Sequence, residues 1–234
     1  MDYQANYPGE QDIISQSRES VAVIKFTDVL AQAPDAHDFR KGGTVATMSG
    51  APKVQNYGSI GSMELPAGFV LDNHPVDAGF LNLGDDDPRR FKSGLQPDSS
   101  LGLWHTGLPQ SVGEPLRQLL QRAPHQLSDD EYFKISSIMS PGPWAGDGRN
   151  HELSMATTDI NGKRAIVYDS WRTADPARDG FDAKPQPDDL RTRVFFFPNI
   201  ASGKLDVAWM QAPVGKFETS AQEFHRSLRS IKWK

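Results

Sequence analysis

No cysteine occurs among the 234 residues. That absence excludes disulfide bonds, thiolate metal sites and cysteine nucleophiles together; it suits an exported bacterial protein and is common in the cytoplasm as well. No run approaches the roughly eighteen apolar residues that a bilayer-spanning helix needs. Positive charge is not in excess either: 25 Lys and Arg stand against 30 Asp and Glu, a formal charge of −5, with a pI near 5.7. The sequence therefore carries no basic footprint for nucleic acid and no polybasic stretch for anionic lipid. Met1–Asn6 has neither the basic nor the hydrophobic region of a signal peptide. The compartment this implies is the cytoplasm, or the periplasm or exterior if a leader has been removed.

Catalytic vocabulary is sparse. Six histidines, His37, His74, His105, His125, His151 and His225, are scattered with no pair at a spacing that puts two ligands on one helical or strand face. His151-Glu152 begins like a metalloprotease helix motif, but position 155 is Met and the motif fails. Asp85-Asp86-Asp87 before Pro88 offers clustered carboxylates to a hard cation; without the calcium-loop glycine and terminal glutamate, and with Arg89-Arg90 beside it, it reads as a solvated turn. No serine stands in a Gly-x-Ser-x-Gly elbow, and Gly42-Gly43, Gly58–Gly61 and Gly142–Gly148 lack the Lys-Ser or Lys-Thr of a phosphate loop. No cofactor and no metal set is expected, and no internal repeat is visible.

What is present is structural. Asn161-Gly162 is a hairpin turn pair that tolerates positive φ at both central positions. A two-residue loop there sets Ile160 opposite Lys163, Asp159 opposite Arg164, Thr157 opposite Ile166 and Met155 opposite Tyr168, so Leu153, Met155, Ile166 and Tyr168 share a side that should be buried. A second hairpin joins Arg193–Phe197 to Lys204–Met210 through Pro198, Asn199, Ser202 and Gly203. In its return strand Leu205, Val207 and Trp209 alternate with Lys204, Asp206 and Ala208, which predicts antiparallel pairing with one covered face. Phe217, Ala221, Phe224, Leu228 and Ile231 then recur at steps of four and three, the stripe of an amphipathic helix, which is expected to cover that face.

Upstream, 17 prolines and 20 glycines imply long connections. Residues 1–57 are polar apart from Val21–Phe26 with Val29 and Leu30, and read as an N-terminal arm or extension, partly ordered; residues 58–234 read as the folded domain. Within the domain, Phe69–Leu71, Ala78–Leu83 and Ser100–His105 have the look of short strands, for a sheet of roughly five to seven. Two helices follow, each opened by a capping-box spacing: Ser111–Glu114 with Leu116, Leu119 and Leu120, and Ser128–Glu131 with Tyr132, Phe133, Ile135 and Ile138, ending before Pro141. Thr173–Leu190 is a Pro- and Asp-rich loop long enough to be functional.

This order of elements, with the Leu65-Pro66-Ala67-Gly68-Phe69 step, the Ala212-Pro213 junction and the Ser230-Ile231-Lys232-Trp233 ending, resembles the PsbP-like α/β/α sandwich group over roughly Gly58 to the end. That group includes photosystem extrinsic subunits, Ran-binding relatives and small bacterial envelope or secretion-accessory proteins. The resemblance implies a binding or assembly module working through surfaces, and it transfers no functional residue.

The expectation is thus an α+β fold: a twisted antiparallel sheet with packed helices, the C-terminal amphipathic helix lying over the sheet. Its expected role is non-catalytic association with another protein in a bacterial envelope or secretion setting. Trp144, Trp171 and Phe181 are the candidate partner-binding residues if exposed; the alternative placement has Trp171 ending a strand over the core and Trp144 packed beneath its glycine-rich loop. Two other classes compete: a hydrolase or metal-dependent enzyme assembled from dispersed histidines and carboxylates, for instance near His105 and His151, and a small-ligand carrier using the groove between sheet and helices.

Overall fold

The computed structural model describes residues 52–72, 88–94, 98–138, 150–178, 180 and 183–234, all within the unit Phe39–Lys234. Through these the sequence runs β1 (Lys53–Tyr57), β2 (Ile60–Glu64), β3 (Phe69–Leu71), β4 (Arg89–Ser93), β5 (Ser100–Gly107), α1 (Gly113–Gln121), α2 (Asp129–Ile135), β6 (Asn150–Ile160), β7 (Lys163–Arg172), β8 (Leu190–Asn199), β9 (Lys204–Pro213), α3 (Phe217–Arg229) and β10 (Lys232–Trp233). Seven strands form one sheet in the order β3-β4-β5-β9-β8-β7-β6, and β1, β2 and β10 form a second. Every pairing is antiparallel. The fold is α+β, as its patterning implies.

The β6–β7 hairpin has the expected register, from Ile160 opposite Lys163 to Met155 opposite Tyr168. Asn161 and Gly162 both take positive φ, 49° and 77°. Asp159 and Arg164 form an ion pair at 3.0 Å near the turn, a contact worth well under about 1 kcal/mol at that exposure. A register shift between Glu152 and Ser154 makes Leu153 a bulge and leaves it half-buried rather than in line with Met155.

The large sheet is covered on both faces, not one. On the first face Met155, Ile166, Tyr168, Val194, Phe196, Leu205, Val207 and Trp209 pack with Leu116 and Leu119 of α1 and Ile135 of α2. On the second, Ala165, Val167, Phe195, Phe197, Ala208, Met210 and Ala212 pack with Phe217, Ala221, Phe224, Leu228 and Ile231, and with Val54, Tyr57, Ile60 and Met63 of the small sheet. The terminal helix is therefore a lid, but over Ala208 and Met210 rather than over Leu205, Val207 and Trp209. The reason lies in residue size and hydrogen bonding. Small alanines on β9 leave room for the helix while Phe195 and Phe197 of β8 fill the layer, and Asp206 is buried on this face because its carboxylate is fully engaged. Gly102 serves the opposite face: it stands across from Trp209, and a Cβ there would lie 2.0 Å from the indole Cζ2.

One local expectation changes. The Ser128–Glu131 capping box forms in full, but the Ser111–Glu114 box does not: Ser111 lies inside a 3-10 turn, Gln110–Val112, and Glu114 instead accepts from Arg117 and Gln118. β4 has no visible period in the sequence because Phe91 is its only large apolar residue. β1 supplies a strand from residues assigned to the arm. Ala78–Leu83 and Asp85–Asp87 lie outside the described residues.

Among the described residues, both edges of the large sheet are blunted. β3 is three residues long, and β6 is bridged at its centre by the α1–α2 connection, where Leu127 N donates to Met155 O (2.9 Å) and Thr157 N to His125 O (2.8 Å). Both devices discourage edge-to-edge pairing.

Candidate functional site

The connection from β7 to β8 spans residues 173–189, and a single carboxylate holds its base. Asp189 is fully buried. It accepts hydrogen bonds from Ala174 N (2.9 Å), Gln186 N (2.7 Å) and Arg178 Nη2 (2.5 Å). Burial works to raise its pKa, but the Arg178 hydrogen bond and the two backbone N–H groups prevail and hold it below the usual carboxylate range. Thr173 Oγ1 donates to Asp175 O (2.9 Å), and Asp175 Oδ1 accepts from Ala177 N (2.9 Å). At the far end Val214 N reaches Asp189 O (2.7 Å) and Gly215 N reaches Pro187 O (2.9 Å), tying the loop to the segment that opens α3. Asp175, Ala177, Lys184, Gln186 and Asp188 are left exposed on this fastened base.

Of the three aromatic candidates, Trp171 is 4% exposed and stacks on His151 at 4.2 Å between ring centroids. Little of its ring is therefore open to solvent. Trp144 and Phe181 lie outside the described residues, as do His37 and His74.

The described histidines do not converge. His105 on β5 and His151 on β6 are four strands apart in the sheet, about 19 Å at roughly 4.8 Å per strand. His125 faces Ala123 O (2.8 Å) and Glu131 (3.3 Å), and His225 faces Arg193. Among the described residues no group of three or more histidines and carboxylates is placed to hold a metal ion, and no helix is long and apolar enough to cross a membrane.

Two buried polar clusters escape the sequence reading because each is assembled from distant strands. In the first, Asp206 Oδ1 accepts from His105 Nδ1 (2.7 Å) and Ser59 N (3.1 Å), while Oδ2 accepts from Ser59 Oγ. Lys163 Nζ donates to Ser59 Oγ (2.7 Å) and lies 4.2 Å from the Trp233 ring centroid. Gly58, at φ 52°, packs so closely that a Cβ would fall 2.1 Å from Asp206 Oδ1. Serine and histidine both meet the aspartate and not one another, so the histidine is not placed to take the serine proton as a nucleophile–base pair requires. The cluster fastens the β1–β2 turn to the large sheet.

The second lies beneath α3. Arg193 makes a two-pronged contact with Asp169, Nε to Oδ1 (2.8 Å) and Nη2 to Oδ2 (2.7 Å), and Arg191 adds a third bond (3.1 Å) and reaches on to Glu218 (3.1 Å). Burial opposes ionisation of Asp169, but the Arg193 and Arg191 charges outweigh it and its pKa is lowered. Arg193 Nη1 donates to His225 Nε2 (3.2 Å); burial, then the Arg193 charge, push that imidazole down to about 3, so it is neutral. A charged residue at an inward position of an apolar strand, as at Asp206 and Arg193, was the available signal.

No family model matches this sequence, and no curated protein does. Among solved structures it is similar to cyanobacterial PsbP (CyanoP) from Synechocystis sp. PCC 6803, at 10% identity and a TM-score of 0.46 over 82% of this chain and 97% of that one. It is also similar to the Ran-binding protein Mog1p of Saccharomyces cerevisiae, at 14% identity and a TM-score of 0.44 over 78% of this chain and 95% of that one. A PsbP and a Ran-binding protein are the kinds of protein that the order of elements resembles; the likeness assigns no residue here a role.

Proposed function

We propose that this protein is a non-catalytic protein-binding or assembly module that meets its partner through the Thr173–Leu190 loop, in a bacterial envelope or secretion setting. The observation that carries this reading is the burial of Asp189 beneath the loop, with Ala174, Arg178 and Gln186 all bonded to it. A loop whose base is fastened before contact loses less conformational freedom there on binding, and the surplus appears as affinity. The exposed Asp175, Lys184 and Asp188 supply polar contacts, and Phe181, within the same loop, supplies the aromatic anchor, with Trp144 as a second. The dispersal of the described histidines supports association over hydrolysis.

The test compares the full-length protein with a loop-surface variant (Asp175→Ala, Lys184→Ala, Asp188→Ala) and with Phe181→Ala and Trp144→Ala. Each is used as bait in quantitative capture from the source cell. The expected result is a partner held by the parent protein and lost from the loop variants, with unchanged thermal melting. Equal capture by all of them refutes the site.

A further inference from the structure

We propose that Asn161 is a deamidation site whose conversion to aspartate releases the C-terminal end of α3 from the β6–β7 hairpin. The amide nitrogen of this turn residue's side group donates to three carbonyls 67 to 70 positions further on: Leu228 O (3.4 Å), Arg229 O (2.7 Å) and Ile231 O (3.0 Å). Leu228 and Arg229 belong to the last turn of α3, which carries the negative end of its dipole, and Ile231 follows just beyond it. The hairpin tip therefore caps the helix that lies over Phe195 and Met210.

Asn161 is exposed and is followed by Gly162, whose Cα faces open space. With no side chain on Gly162 to shield it, its peptide nitrogen is open to attack Cγ of Asn161 whenever the cap lets go. The new N–Cγ bond closes a five-membered succinimide, the Cγ–Nδ2 bond breaks, and ammonia leaves with the peptide proton. Water then opens the ring at either carbonyl to give an aspartyl or isoaspartyl residue, and no electrons are transferred to or from the protein. The product carboxylate has acceptors only. It faces three carbonyls and the negative pole of the helix, so an NH2 whose two protons they share gives way to a repulsive charge; the isoaspartyl form also lengthens a two-residue turn and upsets its register. While the cap holds, these hydrogen bonds restrain the amide from turning onto the Gly162 nitrogen. The reaction thus samples openings of the cap and makes each one permanent.

The test incubates the full-length protein in warm, mildly alkaline buffer and follows the tryptic fragment Asn150–Lys163 by mass and by isoaspartate-specific methylation. Folded protein is expected to react several-fold more slowly than the isolated fragment, and its deamidated fraction to melt about 5 °C lower. Asn161→Asp should melt below Asn161→Ala. Backbone strain alone predicts the reverse order, because aspartate tolerates positive φ better than alanine. If Asn161→Asp does not fold, the deamidated fraction formed from folded protein carries the comparison. Equal rates in protein and fragment, a deamidated fraction that melts with the parent, or Asn161→Asp at or above Asn161→Ala would each overturn the proposal.

Discussion

Replacing Asp169 with asparagine probes the charge cluster on which α3 rests. Asp169 and Arg193 are each 5% exposed, and the carboxylate accepts two bonds from Arg193 and one from Arg191. An amide keeps the shape but turns an NH2 group toward a guanidinium and leaves the buried Arg193 without this counterion. Breaking one partner of such a pair costs about 3 to 5 kcal/mol, and for a protein of this size that lowers Tm by about 10 °C. Urea titration read by linear extrapolation gives the free energy directly. The paired change Asp169→Leu with Arg193→Met should recover much of the loss, since apolar groups of similar volume have no desolvation cost to offset. The acid limb provides an independent check. Because the folded pKa of Asp169 is lowered, its contribution is complete above the unfolded value of about 3.9 and disappears as pH falls through the folded value. Asp169→Asn should therefore lose less stability than the parent over that window. A single variant within about 0.5 kcal/mol of the parent, the range of ordinary surface changes, or a double variant no better than the sum of its singles, would refute the reasoning.

His225 should produce a separate pH dependence. With a folded pKa of about 3 and an unfolded value near 6.5, only the unfolded state takes up a proton between them. Stability then falls by about 1.4 kcal/mol per pH unit on acidification through that range. His225→Gln should flatten the curve between about pH 6.5 and 5 in urea titrations; parallel curves would show that the imidazole is not held neutral. Phe224 is 1% exposed and meets Phe195 edge-on at 5.8 Å, so Phe224→Ala should cost about 3 to 5 kcal/mol. A loss below about 1 kcal/mol by the same titration would mean that α3 is not a lid over this face.

Legibility followed the distance over which each feature is determined. The Asn161-Gly162 register and the Ser128–Glu131 cap were readable because the groups involved lie within a few positions of one another. Ser111–Glu114 has the same spacing, yet its serine was absorbed by the 3-10 turn that joins β5 to α1. β4 was missed because a strand with one apolar anchor has almost no period to detect. The Asp189 pin joins residues 3 to 15 positions apart; the loop was legible as a loop, but its fastening was not. Asp206 and Asp169 bind groups 22 to 147 positions away, and no local pattern marks such partners.

The amino-acid order by itself determined the alternation of the hairpin strands, their register about a two-residue turn, and the apolar stripe of the last helix, all of which follow from backbone geometry and near-neighbour chemistry. Only the tertiary structure decided which side of the sheet that stripe covers. The two faces of β9 are both apolar enough to bury, and the choice between them rests on the volume left by Ala208 and Ala212, the aromatic rings supplied by β8, and a carboxylate at Asp206 that can be buried only because Ser59, Lys163 and His105 arrive from elsewhere in the sequence.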